Sequence, residues 1–459
     1  MKTKHLLVTI CYLMAGAFVP AAGHSQATPR IAYEKYTLPN GLQVILHEDH
    51  STPVVAVNTW YHVGSGDEQP GRTGFAHLFE HIMFMGSQNV PVGMFDKWLE
   101  AVGANNNGST TEDRTNYYET LPSNALELAL WLDADRMGFL LPTMDLPKVD
   151  LQRDVVKNER RQGVDNQPYG RADETILAAL YPKDHPYSWP VIGSMADLSA
   201  ASVEDTKNFF RTYYAPNNAT LAIAGDFDPN TVKQLVAKYF GGIPRGPAVK
   251  RRTTVPAVVI PRDKFIVLED KVQLPRVFYT WHSVKAFAKD DAALDILAQV
   301  IANDKNSRLY KKLVYDLQVA QAVRASQESG RLDGKFQIDV TPKPGQKVAD
   351  IDKLVRAEIA GVISGGITSR ELVRAQNSFR ASFLNRLASV LGKADILNFY
   401  NYFAGTPDYV QKDAARYDQV TAADVQRVAR TYLGRPKIVL TVVPEGKREL
   451  MLTASEGGR

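Results

Sequence analysis

Two histidines four residues apart, with a glutamate beside the second, stand out in this chain as His77-Leu78-Phe79-Glu80-His81. On a helix, positions four apart share one face, with Cβ atoms about 5–6 Å apart, so both imidazoles can address one ion. Glu80 reaches the same region without ligating, as a base that activates water must. The competing reading is a helix surface with two solvated histidines. Phe75, Leu78, Phe79, Ile82, Met83 and Phe84 argue against it, since they surround the cluster with apolar bulk. Buried imidazoles and a buried carboxylate need partners, and a metal would be one.

A hydrolytic zinc site needs a third protein ligand and an open position for water. Cys11 is the only cysteine, and it lies in the N-terminal segment. The rest of the chain offers no disulfide, no thiolate ligand and no cysteine nucleophile. The third ligand must then be histidine or carboxylate. Glu159 fits, because on a helix it shares a stripe with Gln152, Val155 and Val156 that is otherwise uncharged. A salt bridge to Arg160 or its neighbours is the alternative role for Glu159, and residue types alone leave both open.

The elements that would position these groups can be read from pattern. Strands are predicted at residues 36–38 and 42–46 around the turn Pro39-Asn40-Gly41, and at 54–63. Helices are predicted at 73–85 with Gly86 as a C-cap, and at 94–102, 125–136 and 146–161, where Pro147 suits a first turn. Arg211-Thr212-Tyr213 before an apolar strand at 219–224 is echoed by Arg430-Thr431-Tyr432 before another at 438–443. Such an echo is what a duplicated domain would leave. Between the halves, residues 241–262 are rich in Gly, Pro and basic residues, as an exposed linker would be. The expected architecture is α+β: two homologous α/β sandwich domains, 28–240 and 263–459, arising from tandem duplication. In the second half, strands are predicted at 264–268 and 276–282, and helices at 291–302, 307–315 and 351–363. That half holds a single histidine, His282, so the chemistry belongs to the first.

Lys2 and Lys4 precede an apolar run from Leu6 to Val19, followed by small residues up to Ala27. This is the layout of a cleaved secretory signal over residues 1–27, which predicts a periplasmic or secreted protein. The run is short for a bilayer span, so no stable membrane anchor is expected. The 459 residues carry a formal charge of +4, with 44% hydrophobic and 23% charged residues. No basic cluster interleaved with aromatics is present, and a nucleic-acid partner is not expected.

The stretches GSGDEQPGRTGFAHLFEHIMFMGS, GANNNGSTTEDRTNYY and RDVVKNERRQ together resemble the pitrilysin-type inverted zincin metallopeptidases. The branch concerned contains mitochondrial processing peptidase and bacterial two-domain relatives. The resemblance implies a zinc endopeptidase with one Zn2+ per chain, ligated by His77, His81 and Glu159, with Glu80 as general base. It implies peptide substrates bound as an added strand, and it places Asn107 where the family has a substrate-binding asparagine. A plain polar turn in an Asn-rich run is the other reading of Asn107. The resemblance further implies a homodimer, or a heterodimer with a related chain lacking the zinc motif. Active members often carry a second glutamate seven residues before the downstream ligand; here Gln152 stands there, unable to act as a base but able to hydrogen-bond a ligand or Glu80. Arg308 and Tyr310 are of the types that partner halves use to hold substrate, but read more simply as ordinary helix residues. Rival readings are a non-catalytic scaffold subunit of the same fold and a periplasmic zinc-binding protein.

Overall fold

Strands buried on both faces read as continuous apolar runs, and the first sheet is built around two of them. The computed structural model describes residues 30–453, so the segment read as a signal lies outside the described residues. The first sheet contains β1 (Glu34–Thr37), β2 (Gln43–Glu48), β3 (Val54–Tyr61), β4 (Asn105–Thr110), β5 (Thr115–Pro122) and β6 (Ala219–Gly225), in the order β1-β2-β6-β3-β5-β4. Every residue of β6, and all of β3 after Val54, is buried. The second sheet contains β7 (Lys264–Asp270), β8 (Arg276–His282), β9 (Ala320–Ser329), β10 (Gly334–Pro342) and β11 (Ile438–Pro444), in the order β7-β11-β8-β10-β9.

The two orders superimpose once β1 is set aside. β2 runs parallel to β6 as β7 does to β11. The remaining pairs, β6–β3, β3–β5 and β5–β4, are antiparallel, as are β11–β8, β8–β10 and β10–β9. The echoed Arg-Thr-Tyr stretches lead into β6 and β11, which are counterparts. The duplication expected from the sequence is thus the architecture of the fold.

Each half also lends a helix to the other. Val390–Phe403, from the second half, packs through Ala394 and Leu397 on Ile45, Ala56, Ala222 and Ala224 of the first sheet. Ala172–Leu180, from the first half, packs through Ala172 and Ile176 on Phe278, Leu440 and Val442 of the second. This exchange is why β3 and β6 are covered on both faces, and it packs the two halves against each other.

Several predicted elements differ in extent. The helix expected over 73–85 spans Phe75–Ile82, because Gly74 enters it at φ 87° and the chain leaves it in a turn containing Gly86 at φ 72°. Within the helix predicted at 307–315, Tyr310–Asp316 winds as a π-helix.

Candidate metal centre

Phe75–Ile82 buries Leu78, Phe79 and Ile82 in the first core, which fixes the helix rotation and turns His77 and His81 to the opposite side. Its N-terminus is held by Glu68, whose Oε1 accepts the Ala76 amide at 2.8 Å and whose Oε2 accepts that of Gly74 at 3.0 Å. Burial raises the Glu68 carboxyl to about 8. The hydroxyl of Tyr117 on β5 donates to the Phe79 carbonyl at 3.1 Å, tying the same helix to the sheet.

Glu159 reaches the two histidines from Leu146–Arg160. Its Oε2 lies 3.1 Å from His81 Nε2 and 3.6 Å from His77 Nε2. The imidazole rings are perpendicular, at 87°, with centroids 4.9 Å apart. One ligating atom from each of His77, His81 and Glu159 lies within 4.8 Å of the others. Tetrahedral zinc with bonds of about 2.0–2.1 Å sets neighbouring ligand atoms about 3.3 Å apart, a separation the two measured distances bracket. Burial pushes the His77 imidazole below its ordinary value, which favours the neutral ring that a metal requires. The residues present therefore fit a zinc ion. His77 Nδ1 is buried with no hydrogen-bond partner, so this ring lacks the outer support that ligating histidines usually receive.

The salt bridge considered for Glu159 is made by a different residue. Arg160 turns to the buried side and donates to Glu174 Oε2 at 2.7 Å and to the Gly193 carbonyl at 3.0 Å. Gln152, also buried, donates from Nε2 to Met85 Sδ at 2.7 Å, rather than to a ligand or to Glu80.

Glu80 faces β4, the free edge of the first sheet. The Thr110 hydroxyl donates to Glu80 Oε2 at 2.6 Å. At Gly108 a Cβ would fall 2.9 Å from Glu80 Cγ, so the missing side chain lets strand and helix approach. Residues alternate across a strand, so Asn107, between Gly108 and Asn106, directs its side chain to the other face. Residues 105–110 are a strand and not a turn, and the Oδ1 of Asn107 accepts the Gly108 amide at 2.8 Å. Arg308 is occupied elsewhere, paired with Glu371 at 2.6 Å.

Thr110, Glu68 and Gly108 were not evident from residue types. The alternation Asn106, Gly108, Thr110 is the signal that would have pointed two of them at the helix, once residues 105–110 are taken as a strand.

Residues 43–192 match the family described as Insulinase (Peptidase family M16), and residues 200–379 match that described as Peptidase M16 inactive domain. The chain is 30% identical over 411 residues to the zinc protease PqqE of Helicobacter pylori, covering 87% of this chain and 90% of that one. It is 27% identical over 417 residues to an uncharacterised zinc protease of Mycobacterium leprae, covering 87% and 89%. The crystal structure of a protease from Helicobacter pylori superimposes with a TM-score of 0.82 at 27% identity, covering 91% of this chain and 100% of that one. The periplasmic protease PqqL from Escherichia coli shares the fold, with a TM-score of 0.76 at 19% identity over 94% of this chain and 50% of that one. The chain therefore belongs to the pitrilysin-type M16 family of peptidases.

Proposed function

We propose that this chain is a zinc-dependent endopeptidase in which His77, His81 and Glu159 hold the metal and Glu80 is the general base. The observation that carries this reading is the convergence of those three side chains within 4.8 Å, two of them on the helix that also presents Glu80 and the third on Leu146–Arg160. All four lie inside the residues matched to the Insulinase family, and outside those matched to the inactive domain. Zinc, when bound there, lowers the pKa of a water and polarises a peptide carbonyl. Glu80 takes the proton of the attacking water and returns it to the leaving amine. Thr110 keeps one carboxylate oxygen oriented while the other is free for that transfer.

The edge strand β4 supports peptides or unfolded segments as substrates. A substrate laid along it as an added strand receives main-chain hydrogen bonds, and side-chain preference is accordingly loose. Asn107 sits on that edge, and its role there is to meet the substrate main chain after releasing the Gly108 amide. The chain spans half the length of PqqL. That supports pairing as a homodimer, or with a related chain lacking the zinc motif, to enclose substrate. The basic and apolar N-terminal segment, and the description of PqqL as periplasmic, support export to the periplasm or beyond. No helix among the described residues is long and apolar enough to cross a membrane.

Metal analysis together with a quenched-peptide assay, on the chain alone and with a candidate partner, tests this. Glu80→Gln is expected to retain zinc and lose hydrolysis. Cleavage by that variant at the wild-type rate would refute the mechanism.

A further inference from the structure

The face of β4 that turns away from Glu80 has chemistry of its own. Side chains alternate along a strand, and directly paired residues share a face. Gly108 and Thr110 meet Glu80, so Asn107 and Ser109 point to the other side, with their partners Tyr118 and Asn116 on β5. Asn58 and Trp60 on β3 pair with those two in turn and extend the same face. Between this face and the start of the helix Val390–Phe403 lies a cavity of about 370 Å³, which Ser109 brings to the free edge of the sheet.

Its lining favours an anion. Two guanidiniums, those of Arg114 and Arg386, face one carboxylate, Asp395, a net charge of +1. Neither arginine pairs with a carboxylate among the described residues, and Asp395 accepts the Asn58 amide at 3.4 Å. Arg114 is held in place. Its Nη1 donates to the Ser109 carbonyl at 2.7 Å and to Ser109 Oγ at 2.6 Å, and its guanidinium carbon lies 5.1 Å from the centre of the Trp60 ring. The Ser109 hydroxyl donates to Asn116 Oδ1 at 2.7 Å, and the Asn116 amide donates to Asn58 Oδ1 at 3.0 Å. The polar row beneath Arg114 is thus committed to orienting it. Burial lowers the Arg114 pKa, and Asp395, the carboxylate that most offsets this, stays beyond pairing distance. Arg386 is exposed, at the end of the helix Ser369–Arg386.

We propose that this cavity is a specificity subsite for the edge-strand substrate, receiving an aspartate or glutamate side chain between Arg114 and Arg386. The inference rests on the reading that peptides add to β4. In an added strand the residue opposite Ser109 points to the face of Ser109, with the two Cβ atoms about 4.5–5.5 Å apart. A carboxylate there supplies the counterion that the two guanidiniums lack, and charge-assisted hydrogen bonds are roughly twice as strong as neutral ones. Its immediate neighbours in the strand face the metal helix, so the acidic preference falls on one residue of the substrate and not on those beside it.

Peptides with a neutral label and both ends blocked test this, with one glutamate moved stepwise through a neutral sequence and glutamine as its isostere. The readouts are cleavage by the zinc-loaded chain and binding to Glu80→Gln. End blocking leaves the side chain as the source of negative charge. In both readouts glutamate is expected to exceed glutamine by at least about fivefold at one position. That ratio should fall toward one in Arg114→Gln and in Arg386→Gln, and rise in Asp395→Asn. Because Arg386 is exposed, its replacement leaves the core intact. Glutamate and glutamine equal at every position, or a ratio unchanged in both arginine variants, would overturn the subsite and leave the edge-strand reading standing. Peptides neither bound nor cleaved would remove that reading, and the subsite with it.

Discussion

The hydroxyl of Thr110 donates to Oε2 of Glu80 across 2.6 Å, joining the free edge strand to the helix that carries both histidines. The same short contact links the segment where a substrate strand would add to the carboxylate proposed to move the proton. A hydrogen bond to a charged group contributes about 1.5–3 kcal/mol, which corresponds to roughly ten- to a hundredfold in rate if it is needed only for orientation. Thr110→Val is therefore expected to lower kcat by at least about tenfold, with zinc content unchanged. Thr110→Ser should restore most of the loss. A Val variant with wild-type kcat would remove Thr110 from any part in positioning the base.

Glu159, the proposed third ligand, has a side chain that is 47% exposed, so its removal leaves the core intact. Zinc at a hundred times its Kd stabilises a folded protein by about 2.7 kcal/mol. Titrating zinc into the metal-stripped chain should raise Tm, and Glu159→Ala should abolish most of that rise with little change in the metal-free Tm. An undiminished zinc-dependent shift in the variant would show that the third ligand lies elsewhere.

These two residues also mark how far the sequence could be read. His77, Glu80 and His81 were legible because helical spacing alone brings them together. Glu159 lies 78 positions beyond His81, and its stripe with Gln152 and Val156 named it only as a candidate beside a salt bridge to Arg160. The family resemblance favoured the ligand, while the reason Arg160 does not pair with it, that Arg160 faces Glu174, depends on the rotation of the helix in its packed site. Thr110 and Glu68 were hidden for a related reason, since each acts through the register of one element against another. The covering of β3 by a helix from the other half was equally hidden, because periodicity shows that a face is buried but not what buries it.

Glu68 makes stability depend on pH in a defined direction. Burial raises its folded carboxyl to about 8, above the ordinary value near 4.5. Between those values the folded state binds more protons than the unfolded one, so this contribution to stability is complete below about pH 4.5 and lost as pH rises through 8. Glu68→Gln keeps one acceptor for the helix amides and does not titrate. Its Tm relative to wild type should improve from pH 5 to pH 8, measured by calorimetry at matched zinc. A difference that stays flat across that range would mean Glu68 is ionised throughout.

Arg136 lies beneath the site, 3% exposed, bonded to Glu119 Oε1 at 2.8 Å and to Asp133. Its guanidinium carbon is 4.5 Å from the centre of the Tyr117 ring, whose hydroxyl holds the histidine helix. Removing one partner of a buried ion pair leaves uncompensated charge and costs about 3–5 kcal/mol. Arg136→Met should destabilise the chain by that amount in denaturant unfolding. Adding Glu119→Gln should recover part of it, because one stranded carboxylate is then gone. If the double variant is no more stable than the single, the loss arises from packing rather than from charge.

Gln152 occupies the position where related active chains often carry a carboxylate, and here it is buried with its amide against Met85 Sδ. A glutamate at this site would face a sulfur that donates nothing, and burial would raise its pKa. Gln152→Glu is thus expected to lose stability as pH rises through the shifted value, with a loss on the order of 1–3 kcal/mol when ionised. At pH 5, where the carboxyl is protonated, its Tm should approach that of wild type, while at pH 8 it should fall below by several degrees. Zinc content should be the same in both, because Gln152 donates to Met85 and to none of the three proposed ligands. A variant that is as stable as wild type at pH 8 and cleaves peptides faster would show instead that the helix can turn this side chain toward Glu80.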